Sequence, residues 1–135
     1  MRFHRDPKLD LIRRLPLFAG CSPTEIREND AIADEIHLPA GRRLTTEGAH
    51  GQEFVVIVSG TAEVYKGARH VATLGPADFA GEIALLTGRP RTATVVTTSE
   101  TVVLVIARHR FSVLVERMPG LRRRVQEVMP LRQAS

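Results

Sequence analysis

Between Ala33 and Ile106 glycine and proline cut the chain into short β-prone runs, and this texture constrains the fold more than any other feature. Runs rich in Val, Ile and Thr, roughly four to eight residues long and bounded by turn residues, read as strands. The candidates are Glu35–Leu38, Arg43–Thr45, Glu53–Val58, Thr61–Lys66, His70–Leu74, Arg91–Thr97 and Thr101–Ala107. Turn signals stand between them at Pro39-Ala40-Gly41, Gly48, Ser59-Gly60, Gly67 and Gly75-Pro76. Strands this short and this evenly spaced predict a mainly β architecture, an antiparallel jelly-roll or small barrel.

Helical segments flank the strands. Pro7 to Leu15 places Leu11, Ile12 and Leu15 on one side of a short helix. Ser22-Pro23-Thr24-Glu25 is a capping box with proline at the first helical position, so a helix runs from Pro23 to about Asn29. After the last strand, about His109 to Met118 presents Phe111, Leu114, Val115 and Met118 at helical spacing. A final helix starts near Pro119, presents Leu121, Val125 and Val128, and is expected to end at Pro130. The organisation expected is one domain over residues 1–135: helices within 7–32, a β-roll over 33–107 and closing helices over 108–130.

With 135 residues, 43% hydrophobic and no Trp, the chain can bury a single core built from Val, Leu, Ile and Ala. The lone cysteine, Cys21, allows no intrachain disulfide, which fits the reducing cytoplasm, and it reads as a small buried apolar side chain. The longest apolar runs, such as Val102 to Ala107, fall short of the ~18 residues that a membrane span needs. The net charge of +4 is uneven: Arg108 to Ser135 carries seven arginines against two glutamates, so the excess lies in the closing helices. The cations are almost all arginine, a skew that reads as a GC-rich bacterial coding background. The histidines at 4, 37, 50, 70 and 109 are scattered, which argues against a metal site. No serine elbow, phosphate loop or paired catalytic acids stand out, so no enzyme activity is expected.

One stretch carries ligand chemistry. From Phe79 to Arg91 come a glycine turn, a carboxylate, one helical turn and an arginine leading into a strand. Gly81 lets backbone come close to a ligand. Residues 82–86 can form a turn whose free N–H groups, at Ile83 and Ala84, face an anion. Glu82 can accept hydrogen bonds from a sugar hydroxyl, and Arg91 can hold two phosphate oxygens at once. On an extended strand Arg91 shares its parity with Ala93 and Val95, so it turns inward if they do. A buried arginine needs an anion, with Glu82 or Glu100 as the nearest partners in sequence.

The segment Gly81-Glu82-Ile83-Ala84-Leu85, followed by Pro90-Arg91-Thr92-Ala93, closely resembles the phosphate-binding cassette of cyclic nucleotide-binding domains. Leu17 to Ser22, Pro39-Ala40-Gly41 with Glu47-Gly48, Phe54 to Gly60 and Leu74-Gly75-Pro76 resemble the family's flanking elements. The resemblance implies a double-stranded β-helix with helices at both ends and a cassette over 79–94. It implies a regulatory binding role, with ribose on Glu82 and cyclic phosphate on Arg91. At Thr92 two readings stay open: a hydroxyl contact that admits cGMP as well as cAMP, or an ordinary strand residue. cAMP is the default ligand, and no other cofactor is implied. Val56, Val64, Leu74 and Val95 read as core.

Two departures from the family pattern bear on pocket shape. Ala77 stands where the family usually has glycine, and Ala80 where it usually has an aromatic. They keep a second reading alive, a ligand-free interaction module that retains the fold. In the last helix, Arg122-Arg123-Arg124 reads first as a solvated face; one of these, or Met129 or Leu131, could also cover the purine as a lid. Too few residues follow the roll for a helix-turn-helix DNA-binding domain. The expected partners are the nucleotide and either a protein effector or a second copy, met through the closing helices.

Overall fold

Phe54 to Ile57 and Val103 to Ile106 are buried without interruption, where a strand with one wet face would alternate. Both stretches therefore sit between two apolar layers. The computed structural model describes residues 7–15, 18–29, 33–50, 53–81 and 90–134. Its strands are β1 (Asp34–Leu38), β2 (Arg43–Thr45), β3 (Glu53–Ser59), β4 (Ala62–Lys66), β5 (Arg69–Leu74), β6 (Phe79–Ala80), β7 (Thr94–Thr97) and β8 (Thr101–Ala107). The helices are α1 (Pro7–Arg14), α2 (Pro23–Asn29), α3 (Arg108–Arg117) and α4 (Pro119–Ala134).

The strands form two antiparallel sheets, ordered β1-β8-β3-β6 and β2-β7-β4-β5. β3 and β8 lie at the centre of the first, in register from Glu53 opposite Ala107 to Ile57 opposite Val103. Alternation then splits their side chains between two layers. Val55, Ile57, Val103 and Val105 point between the sheets and pack with Ala62 and Val95. Phe54, Val56, Leu104 and Ile106 point the other way, onto Leu11, Ile26, Phe111, Leu114 and Leu121 of the helices and Leu15 just after α1. The single core expected from composition is thus two clusters on opposite faces of one sheet. Val56 belongs to the helical layer, while Val64 and Leu74 are half-buried beside the inner cluster.

The capping box forms as its spacing implies. Glu25 N–H donates to Ser22 Oγ (3.1 Å) and Ser22 N–H to Glu25 Oε1 (3.2 Å). Three differences from the sequence reading have local causes. The strand expected from Arg91 begins at Thr94, because residues 92 and 93 bend while Arg91 exchanges backbone bonds with the loop at Gly48 and Ala49. β6 escaped notice because it is two residues long and lies inside the cassette. α4 does not stop at Pro130 but continues to Ala134, giving sixteen residues, about 24 Å. Proline removes a single amide donor from the ladder, and the chain here keeps helical geometry around it. Among the described residues, no helix is long and apolar enough to cross a membrane.

The turn before α2 and the start of α4 meet at a glycine pair. A Cβ on Gly120, the second residue of α4, would lie 2.8 Å from Gly20 C and 3.3 Å from Cys21 Cα. A Cβ on Gly20 would in turn meet Gly120 O at 3.3 Å. Backbone therefore rests directly on backbone where the turn before α2 touches the corner between α3 and α4.

Candidate functional site

Where β6 ends, Gly81 adopts φ +90°, a conformation that side chains oppose. A Cβ there would stand 2.6 Å from Glu53 O and 2.8 Å from Arg91 Cζ, and would overlap Arg91 Nη1 outright. Glycine is thus required twice, for the torsion and for the room the guanidinium occupies.

Arg91 is only 8% exposed. Its backbone is held from both sides: its N–H donates to Ala49 O (2.7 Å), and its carbonyl accepts from Gly48 N–H (2.8 Å). An isolated bridge between His50 and Pro90 continues this pairing by one residue. Further along, Thr45 Oγ1 donates to Ala93 O (2.9 Å) and Glu47 N–H to Thr94 Oγ1 (3.0 Å). The start of β7 is therefore pinned, and the Arg91 side chain leaves from a fixed point. Nη2 donates to the backbone carbonyl of Glu53. Nη1 is buried and meets no hydrogen-bond acceptor among the described residues.

Burial pulls the Arg91 pKa below its ordinary value, and the Glu53 carboxylate partly opposes that shift. Arginine titrates so high that the group stays cationic at neutral pH. A buried cation with one donor unspent among the described residues can hold a small anion. The cluster between the sheets is apolar: Val55, Ile57, Val95, Val103 and Val105 are buried, with Leu38, Leu44 and Val64 half-buried beside them.

The sequence-derived site residues divide as follows. Gly81 and Arg91 come together, and the inward parity expected for Arg91 holds, with Val95 and Thr97 also buried. Thr92 is exposed. Glu82, Ile83 and Ala84 lie outside the described residues. Glu53 was missed as a partner of Arg91. It stands 38 positions away, and only the pairing of β3 with β6 and β8 brings it to the guanidinium.

The lead-in differs from a glycine turn. Ala77 sits at φ +72°, the only non-glycine residue so placed among those described. β3 clamps it there: Ala77 N–H donates to Ile57 O (2.8 Å), and Ile57 N–H donates to Asp78 O (2.9 Å). Asp78 Oδ2 accepts from Gly75 N–H (2.8 Å) and closes the turn. Ala80 pairs with Val55, and Phe79 stacks on Phe54 with ring centroids 5.6 Å apart.

At the far end, Arg122 Nε and Nη2 donate to Val115 O (3.3 Å) and Glu116 O (2.6 Å), the last carbonyls of α3. Arg122 thus fixes the corner as a C-cap, a role suited to a cation at a helix C-terminus. Arg123 is exposed and Arg124 half-buried. The side chains of Met129 and Leu131 lie outside those described. Cys21 is half-buried, and its thiol pKa is pushed up to about 11, chiefly by burial and then by Glu25, which leaves it a weak nucleophile. Among the described residues no three His, Cys, Asp or Glu side chains gather as metal ligands would.

Residues 35–118 match the family model described as the cyclic nucleotide-binding domain. A cAMP-dependent protein kinase regulatory subunit of Hypocrea atroviridis is 31% identical over 87% of this chain and 25% of its own length. The chain thus spans about a quarter of that relative. The N-terminal domain of a transcriptional regulator from Streptomyces coelicolor superposes with a TM-score of 0.80 at 25% identity, covering 93% of this chain and 90% of that one. The regulatory domain of Toxoplasma gondii PKA, solved with cAMP, gives 0.75 at 25% identity, covering 82% and 46%.

Proposed function

Because the chain belongs to the cyclic nucleotide-binding domain family, we propose that it binds a cyclic nucleotide, cAMP in preference to cGMP, as a sensor and not as a catalyst. The observation that carries this reading is Arg91: buried, cationic, one donor arm spent on Glu53 O and the other without an acceptor among the described residues, inside an apolar roll. The ligand's cyclic phosphate takes the unspent Nη1. Glu82 accepts the ribose hydroxyl, the Ile83 and Ala84 N–H groups face the phosphate, and Gly81 leaves room for the guanidinium. Thr92, exposed beside the site, offers a hydroxyl to a guanine base.

Signal leaves through the helical layer. α3 follows β8 without a break, and β3 and β8 carry side chains into both clusters. Ligand shifts the positions of α3 and α4 only by its differential affinity for the arrangement it favours. The readout is then an effector protein or a second copy meeting these helices in the cytoplasm.

Calorimetric titration with cAMP and cGMP tests the reading. Wild type should bind, with cAMP tighter, and Arg91→Leu should lose about 2–5 kcal/mol of binding free energy. Equal binding by wild type and variant overturns the site. Absence of binding by either leaves the ligand-free interaction module as the better reading.

A further inference from the structure

We infer that, among the described residues, the Glu53 carboxylate is the counter-charge of Arg91 in the unliganded protein, and that it sets how tightly the site holds an anionic ligand. This rests on the proposed role of Arg91 as the phosphate contact. Three observations converge on Glu53. Its backbone carbonyl accepts the Nη2 donor of Arg91, so the two residues touch. Strand alternation puts its side chain on the face of β3 shared with Val55 and Ile57, the face turned toward Arg91 and Val95. The residue is exposed at the start of β3, at the rim of the roll, so its carboxylate keeps its hydration.

The physical argument follows from charge. A neutral carbonyl gives a buried guanidinium a partial negative charge only, and full compensation needs an anion. A rim carboxylate supplies part of it at a distance. An incoming phosphate then meets attraction from Arg91 and repulsion from Glu53, so Glu53 stabilises the protein without ligand and weakens the complex. It acts through the guanidinium, as a positioning residue.

Glu53→Gln tests this, because it keeps the backbone acceptor and the side-chain size and removes only the charge. Calorimetry with cAMP should show affinity rising about three- to tenfold at low salt, with the gain shrinking as salt screens the rim. Glu53→Asp, which keeps the charge, should stay near wild type. A Glu53 that served structure alone would weaken binding or leave it unchanged when replaced by Gln, and either result overturns the inference. Where neither wild type nor variant binds cAMP or cGMP, the nucleotide reading itself fails, and the melt without ligand decides the counter-charge. A salt-dependent fall in the Glu53→Gln midpoint supports it, and an unchanged midpoint overturns it.

Discussion

Replacing Gly81 by alanine separates two demands that one residue meets, and Gly41 provides the control. Both glycines have strongly positive φ, +90° at Gly81 and +84° at Gly41. A Cβ on Gly41 would meet nothing within 4 Å, whereas one on Gly81 would overlap the Arg91 guanidinium and stand 2.6 Å from Glu53 O. Gly41→Ala therefore carries only the left-handed penalty of about 1–2 kcal/mol, offset by up to about 1 kcal/mol from a less flexible unfolded chain. Gly81→Ala carries the same penalty and about 1–3 kcal/mol of overpacking besides. Glu53 O belongs to a strand paired with β8 and has little room to retreat, so the guanidinium must move. Urea unfolding should place Gly81→Ala about 1–3 kcal/mol below Gly41→Ala. With Arg91 in its proposed role, calorimetry should show Gly41→Ala binding cAMP as wild type does and Gly81→Ala losing at least about tenfold, since the proposed phosphate contact is displaced. Equal stability for the two variants, with unchanged affinity in both, would refute the reasoning.

Phe54 is fully buried against Phe79 and the helical layer, so Phe54→Ala should lose about 3–5 kcal/mol in denaturant unfolding. Gly120→Ala should destabilise despite the higher helix propensity of alanine, because Gly20 C and Cys21 Cα lie 2.8 Å and 3.3 Å from the new Cβ; a raised thermal midpoint would contradict the backbone contact. Glu63 is held below the usual carboxylate range, first by the Thr73 hydroxyl, which donates to Oε2 at 2.7 Å, and then by His70. Its folded pKa is depressed, so its contribution to stability is present above the ordinary glutamate value and is lost as pH falls through the folded one. An NMR titration should show a Glu63 midpoint below that of a glutamate in an unfolded peptide, moving upward in Thr73→Val.

The strands and helices were legible because their signals are local: the Ser22 and Glu25 cap, the Phe111, Leu114 and Met118 stripe, and the glycines between strands. Arg91 was legible as an inward cation by parity, although the strand it was assigned to starts three residues later. What could not be read was long-range. The link from Arg91 to Glu53 depends on which strand lies beside β6 and β8, and no spacing in the sequence carries that. The Gly20 and Gly120 contact joins residues a hundred positions apart and leaves no periodic trace. Ala77 was legible as a departure from a glycine, but that β3 holds it at positive φ through Ile57 is a tertiary fact.

Adjacent residues on β3 answer to different neighbours. Trimming Val55 or Ile57 opens space in the cluster between the sheets, whereas trimming Val56 loosens the seat of α3. The two layers are therefore adjustable by separate substitutions one position apart, and changes kept to the odd-numbered side of that strand reshape the space between the sheets while sparing the helical layer.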